Sequence, residues 1–255
     1  MDYEKDAVHP STRTYVQNRE IALGYDAYFN NYPLFQYDTK VLETFLTEPG
    51  PLVDLGCGTA RHVAHFARRG FPSVGVDLSE HMLACANRKI EGCPGRICLL
   101  RGTINRLDFL KNASFRYALC MFSTIGLIRG RRNRGRFVRE VRRILMPRGL
   151  FVFHVHNRWL NLFDACGREW LWRTYTRNRR KGLEPGDKIM QGYRGIPEMF
   201  LHVFSYRECV ALARKNGFRV KKVFCLNEKR DAQMSGFGST LKANGFIVVA
   251  EAAHE

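Results

Sequence analysis

Hydrophobic positions between residues 50 and 156 fall into short apolar runs separated by longer amphipathic segments. Each short run has the length of a buried strand, and the runs lie at 52–55, 73–78, 97–101, 117–122 and 150–155. The clearest amphipathic segments have the 3.6-residue period of a helix and lie at 61–69, 81–88 and 136–145. Strands that alternate with helices predict an α/β fold with a mostly parallel sheet.

The alternation stops after the fifth strand. In the segment that follows, residues 170–176 and 188–193 flank a Gly/Pro-rich turn, and we expect them to pair as an antiparallel flap. The pattern resumes with a helix at 206–215 and strands at 218–226 and 246–251. Because only a loop joins the last two strands, we expect an antiparallel hairpin at the edge of the sheet.

The whole pattern predicts a single domain over residues 1–255, built on a doubly wound, seven-stranded, mostly parallel sheet with helices on both faces. Residues 12–46 have helical periodicity, many aromatic side chains and a break at Pro33, which predicts an N-terminal helical cap. We expect this cap to span residues 1–46 and a ligand-binding core to span residues 50–156. A substrate lid inserted after the fifth strand should span 157–205, and a C-terminal helix with edge strands should span 206–255.

Composition adds little to this picture, with 45% hydrophobic and 25% charged residues. The first residues are charged, and the longest apolar stretch, 117–128, is too short to cross a bilayer, so we expect a cytoplasmic protein without membrane contact. Neither the eight cysteines nor the histidines show metal-ligand spacing, so we expect reduced thiols and no metal site.

Positive charge is concentrated in one part of the chain. The net charge is +17, and residues 129–181 contain fifteen arginines and one lysine against three acidic residues. Such a segment is compatible with binding to a polyanion such as RNA, and equally with solvated helix faces. Both interpretations remain open from the sequence.

A glycine motif, DLGCGT at residues 54–59, follows the first predicted strand. A dinucleotide-binding loop needs a third glycine where this chain has Arg61, and the Lys-Ser/Thr pair of a P-loop is absent. Asp77 ends the second strand, nineteen residues after Gly58, where a carboxylate can accept both hydroxyls of a ribose. The loop and the acid together predict a site for a nucleoside-like ligand.

This motif resembles the first motif of the class I S-adenosylmethionine-dependent methyltransferases, and weaker matches to later motifs of the family follow in order over nearly the whole chain. The resemblance implies that S-adenosylmethionine is the cofactor, with Asp54 near its ammonium group, Asp77 on its ribose, and Leu78 and Met82 against adenine. Thr103 stands where the family often has an acid. The implied cofactor-binding residues are Asp54, Gly56, Cys57, Gly58, Thr59, Asp77, Leu78, Met82, Thr103, Ile104 and Met121.

No signature of a catalytic group accompanies these motifs. The chain lacks the Asp/Asn-Pro-Pro-Tyr motif of adenine methyltransferases and the Pro-Cys motif of cytosine C5 enzymes. His156 follows the fifth strand, at the edge where ligands bind in open sheets, and is the candidate general base. By position, the candidate substrate-binding residues are Tyr25, Tyr28, Asn157, Trp159 and His202.

Three functions are consistent with the sequence. The favoured one is methyl transfer to an O, N or C atom of a small-molecule acceptor, enclosed by the cap and the insertion. The second is methylation of RNA through the Arg-rich segment 129–181, because the stretch 200–204 (FLHVF) weakly resembles methyltransferases that modify the tRNA wobble uridine. The third is a non-catalytic subunit that binds S-adenosylmethionine.

Overall fold

The structure, a computed structural model, describes residues 8–163, 165–180 and 183–253. Its strands are β1 (Leu52–Leu55), β2 (Ser73–Asp77), β3 (Ile97–Arg101), β4 (Phe115–Cys120), β5 (Leu145–His156), β6 (Asp187–Tyr193), β7 (Ile196–His202), β8 (Phe218–Cys225) and β9 (Gly245–Ala252). Its helices are α1 (Pro10–Gln17), α2 (Arg19–Leu23), α3 (Tyr25–Tyr28), α4 (Pro33–Phe45), α5 (Arg61–Ala67), α6 (Glu80–Ile90), α7 (Arg131–Ile144), α8 (Ala165–Arg180), α9 (Tyr206–Arg214) and α10 (Ser239–Lys242). None of these described helices has the length and apolar composition needed to span a membrane.

Seven strands form one sheet in the order β3-β2-β1-β4-β5-β9-β8. The first five strands of the chain run parallel to one another, whereas β9 runs antiparallel to both β5 and β8. β1 lies inside the sheet with a partner on each side, which explains why all four of its residues are buried. This sheet confirms the predicted fold class, including the antiparallel pair at one edge.

Helices cover both faces of the sheet, so each strand contributes side chains to two apolar layers. Along β5, Phe151 and Phe153 pack in the layer under α7 and α9, whereas Val152 packs in the layer under α4 and α5. All three side chains are fully buried. Each contributes roughly 1.5–3 kcal/mol of hydrophobic stabilisation. These two layers hold the carboxyl ends of the strands in fixed positions.

The insertion after β5 differs from the expected flap. Residues 170–176 belong to α8, and the strand that pairs with β6 is β7. Arg194 and Gly195 connect the two strands with positive φ values (49° and 81°), which suit a two-residue hairpin turn. The expected pairing was wrong because so short a turn closes at a lower entropic cost than the long connection back to 170–176.

The N-terminal helices and the β6–β7 hairpin pack against each other above the carboxyl edge of the sheet. The Phe200 amide donates to Ser11 Oγ (2.9 Å), and the rings of His9 and Phe200 stack with centroids 4.9 Å apart. At the hairpin turn, the Arg194 guanidinium donates to the Ile21 carbonyl (3.2 Å). We call this layer, formed by α1–α3 and the β6–β7 hairpin, the roof.

Candidate active site

The glycine motif forms a tight loop between β1 and α5. Gly56 and Gly58 have φ values of +87° and +54°, a backbone conformation that favours glycine. A Cβ atom on Gly56 would lie 2.4 Å from Thr124 Cγ2, so contact with Thr124 also excludes a side chain there. The Gly56 and Cys57 amides donate to the Val76 carbonyl (2.8 and 3.0 Å), which fixes the loop against β2.

Asp77 fastens this loop from the end of β2. Its carboxylate accepts hydrogen bonds from the Gly58 and Ser79 amides, both at 2.8 Å. Burial raises the pKa of the Asp77 carboxyl, and the backbone donors partly oppose that rise. The carboxylate is therefore held in one orientation, where its remaining lone pairs can accept hydroxyl groups.

Asp54 lies at the end of β1 with only 2% of its surface exposed. Burial raises the pKa of its carboxyl to about 7; Arg61 opposes the rise, and the negative charges of Asp77 and Asp38 add to it. Within the described part of the chain, the Asp54 carboxylate has no hydrogen-bond partner. Because an unpaired buried carboxylate is costly, the site fits a ligand that brings a positive charge to it.

Arg61 occupies the position where a dinucleotide-binding loop has its third glycine. Its guanidinium forms two hydrogen bonds with the Asp38 carboxylate (2.8 and 2.7 Å), donates to the Phe35 carbonyl (2.7 Å) and lies 4.0 Å from the centre of the Phe35 ring. Asp38 is fully buried, so the pair joins α5 to α4 inside the protein. In the sequence, Arg61 argued only against a dinucleotide; in the structure it also anchors the cap to the glycine loop.

A second polar link joins the glycine loop to the cap through Thr59. Its hydroxyl donates to Asp26 Oδ1 (2.6 Å) and accepts from Lys89 Nζ (2.9 Å), while Lys89 also pairs with Asp26 (2.6 Å). The Thr59 hydroxyl, a predicted cofactor contact, is thus already engaged in holding α3 over the loop.

These elements enclose a cavity of about 900 Å³ between the carboxyl edge of the sheet and the roof. Its size is at the upper end of the range for small-molecule sites, which leaves room for a second molecule beside a nucleoside-sized ligand. Every predicted cofactor-binding residue lines it, namely Asp54, Gly56, Cys57, Gly58, Thr59, Asp77, Leu78, Met82, Thr103, Ile104 and Met121. The fold therefore gathers at one site the whole set that the resemblance implied.

An aromatic cluster forms one side of this cavity. Phe29, Tyr32, Phe35 and Phe122 contact one another with ring centroids 5.0–5.7 Å apart. The first three come from the cap and Phe122 follows β4, so the cluster joins the cap to the centre of the sheet. We call these four side chains the aromatic wall. They give the cavity an apolar surface beside the end of β4.

Of the candidate acceptor-side residues, Tyr25, Tyr28 and His156 line the cavity. Burial raises the pKa of the Tyr25 hydroxyl, so it stays protonated and can donate a hydrogen bond. Burial and then the Lys188 charge lower the pKa of the His156 ring to about 4. The imidazole is therefore neutral at neutral pH and suited to accept a hydrogen bond, although it is a weak base.

The other three candidates have structural contacts. The Asn157 amide donates to the Leu241 and Ala243 carbonyls (3.0 and 2.7 Å), so Asn157 lines the cavity but also fastens the loop between β8 and β9. Within the described residues, Trp159 and His202 are not part of the cavity lining. His202 is fully buried at the end of β7. The structure does not bring these last two side chains to the site.

His202 belongs instead to a buried ion network. Its Nδ1 lies 2.7 Å from Asp187 Oδ1 and its Nε2 lies 2.9 Å from Glu208 Oε1, while the buried Arg134 pairs with Glu184. In the described ranges, Glu184, Asp187 and His202 are the one group of metal-ligating side chains whose donor atoms lie within 4.8 Å of one another. Because the Arg134 guanidinium supplies positive charge to these carboxylates, they are balanced as an ion network rather than arranged as an open metal site.

The Arg-rich segment 129–181 is only partly available to a polyanion. Arg134 is 1% exposed, contrary to the interpretation of the segment as a surface patch. Arg139, Arg142 and Arg143 donate to neighbouring side chains or carbonyl groups of the protein. The exposed arginines on or beside α7 are Arg129, Arg131, Arg132, Arg136 and Arg139.

Residues 52–149, from β1 into β5, match the model of a protein family described as a methyltransferase domain. YqeM of Bacillus subtilis (strain 168), a protein named as a candidate methyltransferase, is 29% identical over 133 residues, which are 52% of this chain and 53% of YqeM. The match thus spans about half the length of this relative. The central part of the chain is therefore similar to a methyltransferase domain.

Solved structures show the same fold over most of the chain. An S-adenosylmethionine-dependent methyltransferase from Methanosarcina mazei matches with a TM-score of 0.69 at 19% identity, covering 84% of this chain and 98% of that protein. The 1,6-didemethyltoxoflavin-N1-methyltransferase of Burkholderia thailandensis, solved with 1,6-didemethyltoxoflavin and S-adenosylhomocysteine, matches with a TM-score of 0.62 at 16% identity, covering 96% and 91%. The comparisons confirm the predicted class I, Rossmann-like methyltransferase fold.

Proposed function

We propose that this chain transfers a methyl group from S-adenosylmethionine to an O, N or C atom of a small-molecule acceptor. The observation that carries the proposal is one cavity, of about 900 Å³, that contains the complete predicted cofactor set and continues to the ends of β4 and β5. A space of this size under a roof suits a cofactor together with a small acceptor. The Burkholderia thailandensis enzyme, similar in fold, is named for methylation of a small molecule.

The lining residues fit the cofactor by their chemistry. The partnerless Asp54 carboxylate suits its ammonium group, Asp77 suits the ribose hydroxyls, and the apolar side chains of Leu78 and Met82 suit the adenine ring. Gly58 has open space where a Cβ would lie, so a ligand can approach the backbone closely. When bound, the cofactor supplies an electrophilic methyl group, so the protein needs no strong nucleophile of its own.

The contribution of the protein to the reaction is to position the acceptor and to exclude water. The roof covers part of the cavity, and the aromatic wall offers an apolar surface to the acceptor beside the end of β4. His156 can accept a hydrogen bond from the attacking group, but a ring with a pKa of about 4 removes a proton poorly. The site therefore favours acceptor atoms that are nucleophilic without first losing a proton.

The proposal is tested by supplying S-adenosylmethionine labelled in its methyl group together with either a small-molecule extract or bulk tRNA. We expect label in the small-molecule fraction and none in RNA. The control is Asp77→Ala, which lacks the predicted ribose contact and the two hydrogen bonds that fasten the glycine loop, and which should therefore transfer no label. Label confined to RNA would contradict the small-molecule assignment. Cofactor binding with no label in either fraction would favour the non-catalytic subunit.

RNA is the second candidate acceptor, favoured by one observation. The exposed arginines lie on or beside α7, and α8 separately carries two exposed aromatic side chains, Trp172 (69%) and Tyr175 (53%), on which bases can stack. If these arginines bind RNA, replacing Arg131, Arg132 and Arg136 by glutamine should make the plot of log affinity against log salt concentration less steep. The change in slope should correspond to the loss of up to about three phosphate contacts. Arg134 stays unchanged in this variant because it is buried. An unchanged slope would remove these arginines from RNA binding.

A further inference from the structure

The loop between β8 and β9 presents an arginine to the cavity. The side chains of Asn227 and Asp231 hydrogen-bond to each other (2.6 Å), and the Asp231 amide donates back to Asn227 Oδ1 (3.0 Å), which closes a tight turn around Arg230. Arg230 lies in this turn with a left-handed backbone (φ 64°), and its partly buried side chain lines the cavity. The turn therefore fixes the backbone from which the guanidinium is presented.

Arg230 differs from the other arginines of the cavity in its partners. Arg61 is paired with Asp38, and Arg158 with Glu208. Within the described residues, Arg230 has no carboxylate partner, and its buried Nε has no hydrogen-bond acceptor. A guanidinium stays charged, so partial removal from water without a counter-charge costs free energy. An anionic ligand would offset that cost.

The order of strands places Arg230 away from most of the predicted cofactor contacts. Those contacts cluster at the ends of β1, β2 and β3, whereas β8 forms the opposite edge of the sheet. The guanidinium lies 5.1 Å from the centre of the Tyr32 ring, a member of the aromatic wall. Lys188 also lines the cavity, and its charge acts on His156 at the end of β5. Positive charge and apolar surface thus occur together on the acceptor side.

We infer that Arg230 binds an anionic group, a carboxylate or a phosphate, of the methyl acceptor, whose apolar body packs against the aromatic wall. The inference rests on the proposed function, because it names the class of acceptor that this site takes. A guanidinium suits either anion, since its planar fork can donate two parallel hydrogen bonds. The carboxylate of the cofactor offers the same chemistry, so the test must separate the two sources.

The experiment is calorimetric titration of the protein saturated with S-adenosylhomocysteine. The probes are matched pairs of an acid and its neutral amide: benzoate with benzamide, and indole-3-acetate with indole-3-acetamide. We expect at least one acid to bind about tenfold or more tightly than its amide. Arg230→Gln should abolish this preference, Arg230→Lys should retain part of it, and neither variant should change the affinity for S-adenosylhomocysteine.

Arg148→Gln is the matched control, because Arg148 is an exposed arginine with the same left-handed backbone (φ 62°) but lies outside the cavity lining. It should retain the preference for acids. Amides that bind as well as their acids, or an acid preference that survives Arg230→Gln, would overturn the inference alone. Weaker binding of S-adenosylhomocysteine to Arg230→Gln would assign Arg230 to the cofactor carboxylate instead. Failure of the wild-type protein to bind S-adenosylhomocysteine would overturn the proposed function as well.

Discussion

Cofactor affinity should fall as the pH is lowered through about 7, because the Asp54 carboxyl must be ionised to bind a cationic group. Burial holds the pKa of this carboxyl at about 7 in the free protein, against an ordinary value of 3.8. The ammonium group of S-adenosylmethionine favours the ionised form, so binding and deprotonation of Asp54 are linked. Protons and cofactor therefore compete for the same site.

The size of this effect follows from the pKa. Only the fraction of protein with ionised Asp54 is competent to bind, so affinity at pH 6 should be about tenfold weaker than the limit reached well above pH 7. Raising the pKa from 3.8 to about 7 corresponds to about 4 kcal/mol. Because the folded-state pKa of Asp54 is raised, the contribution of this one carboxyl to the stability of the free protein is most favourable below about pH 4 and becomes less favourable as the pH rises from about 4 to about 7.

The assay is calorimetric titration with S-adenosylmethionine at several pH values between 5.5 and 7.5, where an α-amino group of ordinary pKa, about 8, is still mostly protonated. The control is Asp54→Asn, which retains shape but cannot ionise. Its affinity should be lower at pH 7.5 and should change little with pH. Any pH dependence of the affinity that remains in this variant comes from other titrating groups, such as Asp77, whose carboxyl pKa is also raised by burial.

Two results would refute this reasoning. One is an affinity of the wild-type protein that stays constant from pH 5.5 to 7.5. The other is an Asp54→Asn variant that binds S-adenosylmethionine as tightly as the wild type. In the second case the Asp54 carboxylate would have a structural role and would not bind the cofactor.

Three further substitutions test separate parts of the site. Asp77→Ala should weaken S-adenosylmethionine binding by about 1–3 kcal/mol through lost charge-assisted hydrogen bonds, and unchanged affinity in calorimetry would exclude the ribose contact. Asp38→Ala leaves Arg61 without its buried partner and should lower the free energy of unfolding, measured by urea denaturation, by roughly 3 kcal/mol. A loss of only a few tenths of a kcal/mol would contradict the claim that this ion pair anchors the cap to the glycine loop. Gly56→Ala adds a Cβ 2.4 Å from Thr124 Cγ2 at a strained φ and should lower the free energy of unfolding by roughly 2 kcal/mol. Adding Thr124→Ser, which removes that methyl group, should recover part of the loss. A Gly56→Ala variant as stable as the wild type would show that the loop rearranges to accept the Cβ.

The central sheet was predictable from the sequence because its strands are buried on both faces. Residues 52–55 are apolar apart from Asp54, and the glycine motif and Asp77 occupy the strand ends that the alternation of strands and helices implies. That the predicted cofactor-binding residues line one cavity follows for the same reason. These residues lie at the carboxyl ends of consecutive parallel strands, which meet at one edge of the sheet.

The insertion and the acceptor side could not be read in the same way. Residues 170–176 (WLWRTYT) are rich in aromatic and β-branched residues, which favour strands, yet this segment is helical in α8. The Arg194–Gly195 turn is a weaker hairpin signal than Asn-Gly, so it was missed. Arg230 lies in a polar loop without periodicity. Only the three-dimensional arrangement shows that, among the described residues, Arg230 lines the cavity without a carboxylate partner.

The most direct test of the account is calorimetric titration of the purified protein with S-adenosylmethionine and S-adenosylhomocysteine, with NAD as the control ligand. We predict micromolar binding of both sulfur compounds and none of NAD, because Arg61 replaces the third glycine of a dinucleotide loop while Asp54 and Asp77 face the cavity. Repeating the titration with bulk tRNA present should leave both affinities unchanged if the acceptor is a small molecule. Binding of NAD, or of neither sulfur compound, would contradict the central claim.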